Sequence, residues 1–125
     1  MNLPESRHAA GIAYRESGKP QSPALVLLHG IGSTSAVWRD QYAPLGERRR
    51  VVAWSAPGYQ DSEPLRGESP AAADYAAAMA KWLDALGIQA ADLVTNSWGT
   101  LCALAFAAAY PSRVRSLALG GPTAG

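Results

Sequence analysis

The chain has little cysteine and no long apolar run. Cys102 is its one cysteine in 125 residues, which excludes an internal disulfide framework and is typical of a reducing compartment. No apolar run approaches the roughly 20 residues that span a bilayer. The first twenty residues carry charged side chains and no apolar core, which argues against a signal peptide. The composition therefore predicts a cytoplasmic protein without a membrane partner.

An excess of one charge sign is also missing. The chain has 11 basic and 10 acidic residues and a net charge of +1, so nothing indicates a nucleic-acid partner. The basic run 48–50 precedes an apolar stretch and is interpreted as the solvated end of a helix or turn. The hydrophobic fraction of 48% and charged fraction of 17% are typical of a compact folded chain. A length of 125 residues allows at most one domain of ordinary size.

What is present is an alternation of apolar runs and helical patterns. The runs predict strands at 11–17, 24–29, 50–55, 92–96 and 113–120, and the helical spacings predict helices near 37–45, 69–86 and 98–110. Ser69 is the expected N-cap of the middle helix, and Gly87 is its expected stop. This alternation predicts an α/β fold, a mostly parallel sheet with helices on both faces. Ligands of such sheets bind beyond the carboxyl ends of the strands, here the loops 29–35, 55–64 and 96–99.

The segment Thr95-Asn96-Ser97-Trp98-Gly99 lies where a strand is followed by a helix. A nucleophile elbow requires small residues two places before and two places after its serine. Gly99 meets that requirement, whereas the β-branched Thr95 meets it poorly. The helix start also offers backbone N–H groups to a developing oxyanion. Ser97 is therefore a candidate nucleophile, and the alternative is a polar residue that merely ends a strand.

The loop Gly30-Ile31-Gly32 has two functional interpretations. A dinucleotide fingerprint would require a carboxylate at the end of the next strand, but that strand ends in Trp54-Ser55. The other interpretation is an oxyanion loop that supplies a backbone N–H. His29, at the end of a buried strand, is expected to be a structural histidine that hydrogen-bonds the backbone.

Three blocks in this order resemble the N-terminal half of the α/β-hydrolase superfamily: LVLLHGIGSTSAVW, RVVAWSAPGY, and LVTNSWGTLCALAFAAAYPSRVRSLAL followed by GGP. The subgroup resembled contains lactonases, esterases and carbon–carbon-bond hydrolases with a His-Gly loop. The resemblance implies Ser97 as nucleophile and the amides of Ile31 and Trp98 as oxyanion donors, with the Trp98 ring lining the acyl pocket. His29, Gly30, Gly32, Asn96 and Gly99 would support these motifs.

Three positions depart from the pattern of that family. Ser55 replaces the usual Asp, Gln60 replaces a Gly after the proline turn, and Thr95 replaces the Gly or Ala of the elbow. Ser55 and Gln60 indicate that the loop after the third predicted strand differs in geometry from that of the family. Thr95 questions the turn beside the nucleophile.

A serine nucleophile requires a base, normally His oriented by Asp or Glu. In the family both follow the nucleophile, yet no His, Asp or Glu follows Ser97 here. The resemblance thus implies that residues 1–125 are the N-terminal portion of a hydrolase core, truncated after the family's sixth strand, without lid or C-terminal half. A second chain or a missing C-terminal half would supply the acid and the histidine.

The leading hypothesis is a serine hydrolase of small esters, lactones or related acyl compounds, with no cofactor and no metal. The alternative from another class is a non-catalytic fragment or pseudoenzyme that acts as an association domain through the strand at 114–119. A nucleotide-binding α/β domain is a third hypothesis, disfavoured by Ser55.

Overall fold

The computed structural model of the protein describes residues 3–67 and 69–120. The strands in this part of the chain are β1 (Arg7–Ala9), β2 (Ile12–Ser17), β3 (Ala24–Leu28), β4 (Arg50–Trp54), β5 (Ala91–Asn96) and β6 (Val114–Gly120). The α-helices are α1 (Tyr42–Gly46), α2 (Ala72–Ala85) and α3 (Gly99–Ala109), and short 3₁₀ turns occupy Ser35–Trp38 and Pro111–Arg113.

The strands form one sheet in the order β1-β2-β4-β3-β5-β6. The pairs among β4, β3, β5 and β6 are parallel, and β1 and β2 are antiparallel at one edge. The mostly parallel sheet is therefore confirmed. The strand β1 was not predicted. It is three residues long and joins β2 through Ala10 and Gly11, which both have positive φ, +51° and +78°. A two-residue hairpin turn of this kind is signalled in sequences mainly by Asn-Gly or Asp-Gly.

Helices cover both faces of the sheet, as predicted. Alternate residues of a strand point to opposite faces, so Val26 and Leu28 of β3 pack with α2 and α3 in the larger core cluster. Leu25 and Leu27 point the other way and pack with Tyr42 of α1. Because β3 is central and buried on both faces, its continuous apolar run is explained.

The bounds of two predicted helices differ in the structure. The middle helix begins at Ala72, and the Asp74 carboxylate accepts a hydrogen bond from the Ala71 N–H at 2.7 Å. The prediction of Ser69 as N-cap was therefore wrong, since a side chain inside the first turn satisfies the free amide instead. The helix predicted near 37–45 is divided into the 3₁₀ turn and the five-residue α1.

The stop at Gly87 is confirmed. Gly87 has φ +72°, and its N–H donates to the Asp84 carbonyl while the Ile88 N–H donates to the Leu83 carbonyl. These two bonds form a Schellman motif, which requires a left-handed residue where Gly87 lies. The chain then turns sharply into β5.

The basic run is only partly the solvated turn that was predicted, since Arg48 is exposed in the turn after α1 whereas Arg49 and Arg50 form ion pairs. Arg49 forms an ion pair with Asp92. Arg50 begins β4 and donates to the Glu16 carboxylate of β2 at 2.9 Å, with both side chains largely buried. The first pair reaches from the start of β4 across β3 to β5, and the second joins the neighbouring strands β4 and β2. Both lie away from the loops predicted to bind ligands.

Candidate active site at the carboxyl ends of the parallel strands

Ser97 lies on a sharp turn between β5 and α3. Its φ of +52° is in the left-handed region, which non-glycine residues adopt at a cost and mainly at functional sites. The Ser97 N–H donates to the Gly120 carbonyl at 2.9 Å, and the Ser97 carbonyl accepts from the Thr100 N–H at 2.9 Å. The strand-to-helix turn expected from the sequence is therefore present, and its strained residue is the serine.

Gly99 allows α3 to begin against the end of β3. A Cβ at this position would lie 2.5 Å from the Leu28 carbonyl oxygen and 2.9 Å from that of His29. Both contacts are to backbone, which cannot rotate away as a side chain could. The requirement for a small residue two places after Ser97 thus has a direct steric cause.

Thr95 is accommodated through a partner in the first turn of α3. Its buried hydroxyl lies 2.8 Å from the hydroxyl of Thr100. A buried hydroxyl without a partner would be costly, so the two threonines satisfy each other. Thr100 was not singled out from the sequence, because the pair crosses the turn and follows no recognised spacing.

The loop after β3 lies beside Ser97. The Ser33 N–H donates to the Gly30 carbonyl at 3.2 Å, and Gly32 has φ +75°, which together form a tight turn with Ile31 at its tip, 71% exposed. A Cβ on the buried Gly30 would lie 3.3 Å from Ser97 Cβ. Neither the Ile31 amide nor the Trp98 amide donates a hydrogen bond to another residue in the described part of the chain.

His29 is fully buried, and both its ring nitrogens have main-chain partners. Nε2 accepts from the Ala56 N–H at 2.9 Å, so the proton lies on Nδ1, which donates to the Gly30 carbonyl at 2.8 Å. A trans peptide directs the Ile31 N–H opposite to the Gly30 C=O. The imidazole therefore orients the amide that was predicted to face an oxyanion, and it has no nitrogen free to act as a base.

We expect this histidine to make stability depend on pH. Burial lowers the pKa of His29 below its ordinary value of 6.5, so the folded state binds fewer protons there than the unfolded chain. The contribution of neutral His29 to the free energy of unfolding is therefore complete above about pH 6.5. It is lost as the pH falls below 6.5, by up to about 1.4 kcal/mol per pH unit. Urea unfolding between about pH 8 and about pH 5 measures the slope.

The matched variants are His29→Asn, which should flatten this slope, and His8→Asn, which replaces the exposed histidine of β1 and serves as the control. Equal slopes in both variants would contradict the assignment.

Aromatic rings surround the base of the site. The Trp98 ring packs against Tyr59, 5.8 Å between centroids, and against Tyr75 of α2, 5.2 Å. Tyr59 also makes an edge contact with His29 at 5.1 Å. Trp98 is thus half-buried between the loop after β4 and α2, and Tyr59 links it to the loop after β3. The three predicted loops do meet at one edge of the sheet.

Other predicted features have structural positions. Asn96 is exposed at the end of β5. Cys102 is buried in α3, and burial raises the pKa of its thiol to about 12, so it is an apolar core residue. Within residues 3–67 and 69–120, no group of three His, Cys, Asp or Glu residues could hold a metal ion. The end of the block GGP, Gly121-Pro122, lies outside the described residues.

Comparison with known proteins agrees with this geometry. A sequence profile described as alpha/beta hydrolase fold matches residues 23–124. The chain belongs to the α/β-hydrolase family. The 2-hydroxy-6-oxo-6-phenylhexa-2,4-dienoate hydrolase of Comamonas testosteroni is 35% identical to this α/β-hydrolase chain over 115 residues, which cover 89% of the chain and 40% of that protein.

Two solved structures show the same fold. The 2-hydroxy-6-oxo-6-phenylhexa-2,4-dienoate hydrolase of Rhodococcus sp. strain RHA1 gives a TM-score of 0.83 at 29% identity, with 94% of this chain and 46% of that one covered. A membrane phospholipase A, described as a bacterial virulence factor, gives a TM-score of 0.80 at 38% identity and covers 86% of this chain and 35% of that one.

This α/β-hydrolase chain spans about 40% of the length of the curated relatives it matches. None of the helices within residues 3–67 and 69–120 combines the length and the hydrophobicity that a membrane span needs. Cytoplasmic location stays a prediction.

Proposed function

We propose that the protein is a hydrolase in which Ser97 is the nucleophile and carries an acyl-enzyme intermediate. The observation that carries the proposal is the φ of +52° at Ser97, on a turn whose neighbouring glycine admits no side chain. A strained serine at the carboxyl end of a central parallel strand presents its hydroxyl outward. The hydrolase relatives and the family membership support the same reaction class.

The proposed oxyanion donors are the amides of Ile31 and Trp98. The first belongs to the turn after β3, whose Gly30 lies beside Ser97, and the second belongs to the residue after Ser97. Backbone N–H groups that are held before the reaction stabilise the developing oxyanion without reorganisation. Ser97 Oγ would attack the carbonyl carbon, and the carbonyl oxygen would take up negative charge between these two donors.

The proton of Ser97 must pass to a base outside the described site. His29 is engaged on both nitrogens. His8 lies on β1, four strands from β5 in the sheet, or about 19 Å at the usual strand spacing. We therefore place the base and its acid in a C-terminal segment or a second chain, in keeping with relatives that are much longer than this chain.

The proposed substrates are small esters, lactones and related acyl compounds. The names of the relatives add a second class, the 2-hydroxy-6-oxodienoates, since they include hydrolases of these compounds. Both classes present a carbonyl carbon to the nucleophile and differ in the bond that breaks, carbon–oxygen or carbon–carbon. Turnover of a p-nitrophenyl ester and of a 2-hydroxy-6-oxodienoate by the longest natural form would distinguish them.

A fluorophosphonate probe tests the nucleophile directly. Incubation of the longest natural form should add one phosphonyl group per chain, and peptide mapping should locate it on Ser97, because the probe reacts with activated serines and not with ordinary ones. Protein unfolded in urea before exposure is the control and should stay unlabelled. No adduct on the folded protein, or an adduct on another serine, would contradict the proposal.

A specific surface favours the second candidate, a non-catalytic association domain. Leu117 and Leu119 of the outer strand β6 are 36% and 51% exposed, and Leu101 and Leu104 of α3 are 49% and 45% exposed. An exposed apolar edge strand tends to pair with another chain. This candidate predicts no probe adduct and a concentration-dependent sedimentation coefficient that Leu119→Lys abolishes. A monomer at all concentrations would contradict it.

A further inference from the structure

Gln60 is a strained residue held by one side-chain bond. Its φ of +49° is in the left-handed region at a position where the family resemblance expects glycine. Its Oε1 accepts a hydrogen bond from the Ser55 hydroxyl at 3.0 Å, and Ser55 is fully buried. The two departures from the family pattern in this loop are therefore in contact with each other.

Ser55 also holds the segment that follows the oxyanion turn. Its Oγ accepts from the Ser35 N–H at 3.1 Å and lies 3.3 Å from the Ser35 hydroxyl. The next residue, Ala56, donates its N–H to His29 Nε2. Adjacent residues after β4 thus hold both ends of the stretch 29–35, whose tip carries the Ile31 amide.

The loop 55–62 is itself attached to the sheet. The Ser55 N–H donates to the Ala13 carbonyl at 2.8 Å, the Ala13 N–H donates to Ser62 Oγ at 2.8 Å, and the Ser62 hydroxyl donates to the Ser55 carbonyl. Because β2 anchors this loop at both ends, the rigid sheet positions the loop, and the loop positions the turn after β3.

We infer that Ser55 and Gln60 act as a pair of positioning residues that set the place of the Ile31 amide. The inference rests on the proposed function for its catalytic consequence. The Ser55 hydroxyl donates to Gln60 Oε1 while its oxygen accepts from the Ser35 N–H, so Ser55 connects Gln60 to the stretch 29–35. Loss of either side chain would release Ser35, the end of the turn that Ser55 holds. The two substitutions should therefore displace the Ile31 amide in the same way.

The test uses Ser55→Ala, Gln60→Gly and the double variant of the longest natural form. Each single variant should lower kcat for an ester about 10-fold with little change in KM, because an oxyanion donor acts in the transition state. Removal of one donor lowers kcat by about 100- to 1,000-fold, and a donor that is only displaced should cost less. The double variant should lose no more than either single one. Gln21→Gly, at an exposed position beyond the amino end of β3, is the control and should keep full activity.

Two further measurements separate positioning from general destabilisation. Gln60→Gly relieves a left-handed backbone, so its urea midpoint should not fall even though kcat does. The ¹⁵N–¹H resonance of Ile31 should shift in both single variants and not in Gln21→Gly. Wild-type kcat with an unmoved Ile31 resonance, or additive losses in the double variant, would overturn the inference. Failure of the wild-type protein to react at Ser97 would instead reject the proposed function, and the Ile31 resonance would still decide the positioning.

Discussion

Ser97→Ala is expected to lower kcat of the longest natural form by about 10⁶-fold, the loss seen when a serine nucleophile is removed from a complete catalytic unit. The hydroxyl would be the group that forms the bond to the acyl carbon, so nothing else on the turn can replace it. Binding of the substrate should persist, because the aromatic rings and backbone donors are unchanged. Steady-state hydrolysis of a p-nitrophenyl ester measures the effect.

Measurements of stability separate the catalytic role of the Ser97 hydroxyl from the cost of its left-handed backbone. Alanine keeps a Cβ at φ +52°, so Ser97→Ala should leave the free energy of unfolding nearly unchanged. Ser97→Gly removes a left-handed penalty of about 1–2 kcal/mol and adds about 0.5–1 kcal/mol of unfolded-state entropy, so it should stabilise by about 0.5–1 kcal/mol.

Ser116→Ala is the matched control for Ser97→Ala. It removes another hydroxyl, one that bonds Asp92 near the amino end of β5, and it should keep kcat. Retained turnover in Ser97→Ala, or its loss in Ser116→Ala, would contradict the assignment of the nucleophile.

The parts of this fold that the sequence predicted are those whose signal is local. The central strands are buried on both faces and appear as continuous apolar runs. The apolar residues of α2 recur at helical spacing in the sequence, and among them Met79, Trp82 and Leu83 are buried. The turn at Ser97 was predictable because a strand, a small residue and a helix occur there in order.

The features that were missed depend on contacts between distant parts of the chain. The strand β1 exists because β2 offers it an edge, and its own three residues carry no apolar alternation. The pairing of Thr95 with Thr100 makes an unfavourable elbow residue acceptable. Similarly, Ser55 and Gln60 look like two separate departures in the sequence and become one hydrogen bond in the structure. A substitution that a motif disfavours is tolerated where a neighbour completes its hydrogen bonds, and a single sequence does not show that neighbour.

Gly99→Ala should destabilise the protein by about 3 kcal/mol or more, at the upper end of overpacking costs. The new Cβ would lie 2.5 Å from the Leu28 carbonyl oxygen, so α3 must move away from β3. That movement would pull on Ser97, two residues earlier, and should also abolish the probe reaction. Urea unfolding gives the free-energy change.

Gly87→Ala is the control that separates contact from conformation. Gly87 has φ +72° and no atom within 4 Å of an added Cβ, so alanine there should cost only the left-handed penalty of about 1 kcal/mol. At Gly99 the obstacle is instead the lack of space for a Cβ, and the backbone there is not in the left-handed region. If Gly99→Ala cost no more than Gly87→Ala, the helix would be able to shift freely on the sheet, and the turn could not hold Ser97 in a strained conformation. A clear excess at Gly99 would mean that the packing of α3 on β3 is what maintains the strain at the proposed nucleophile.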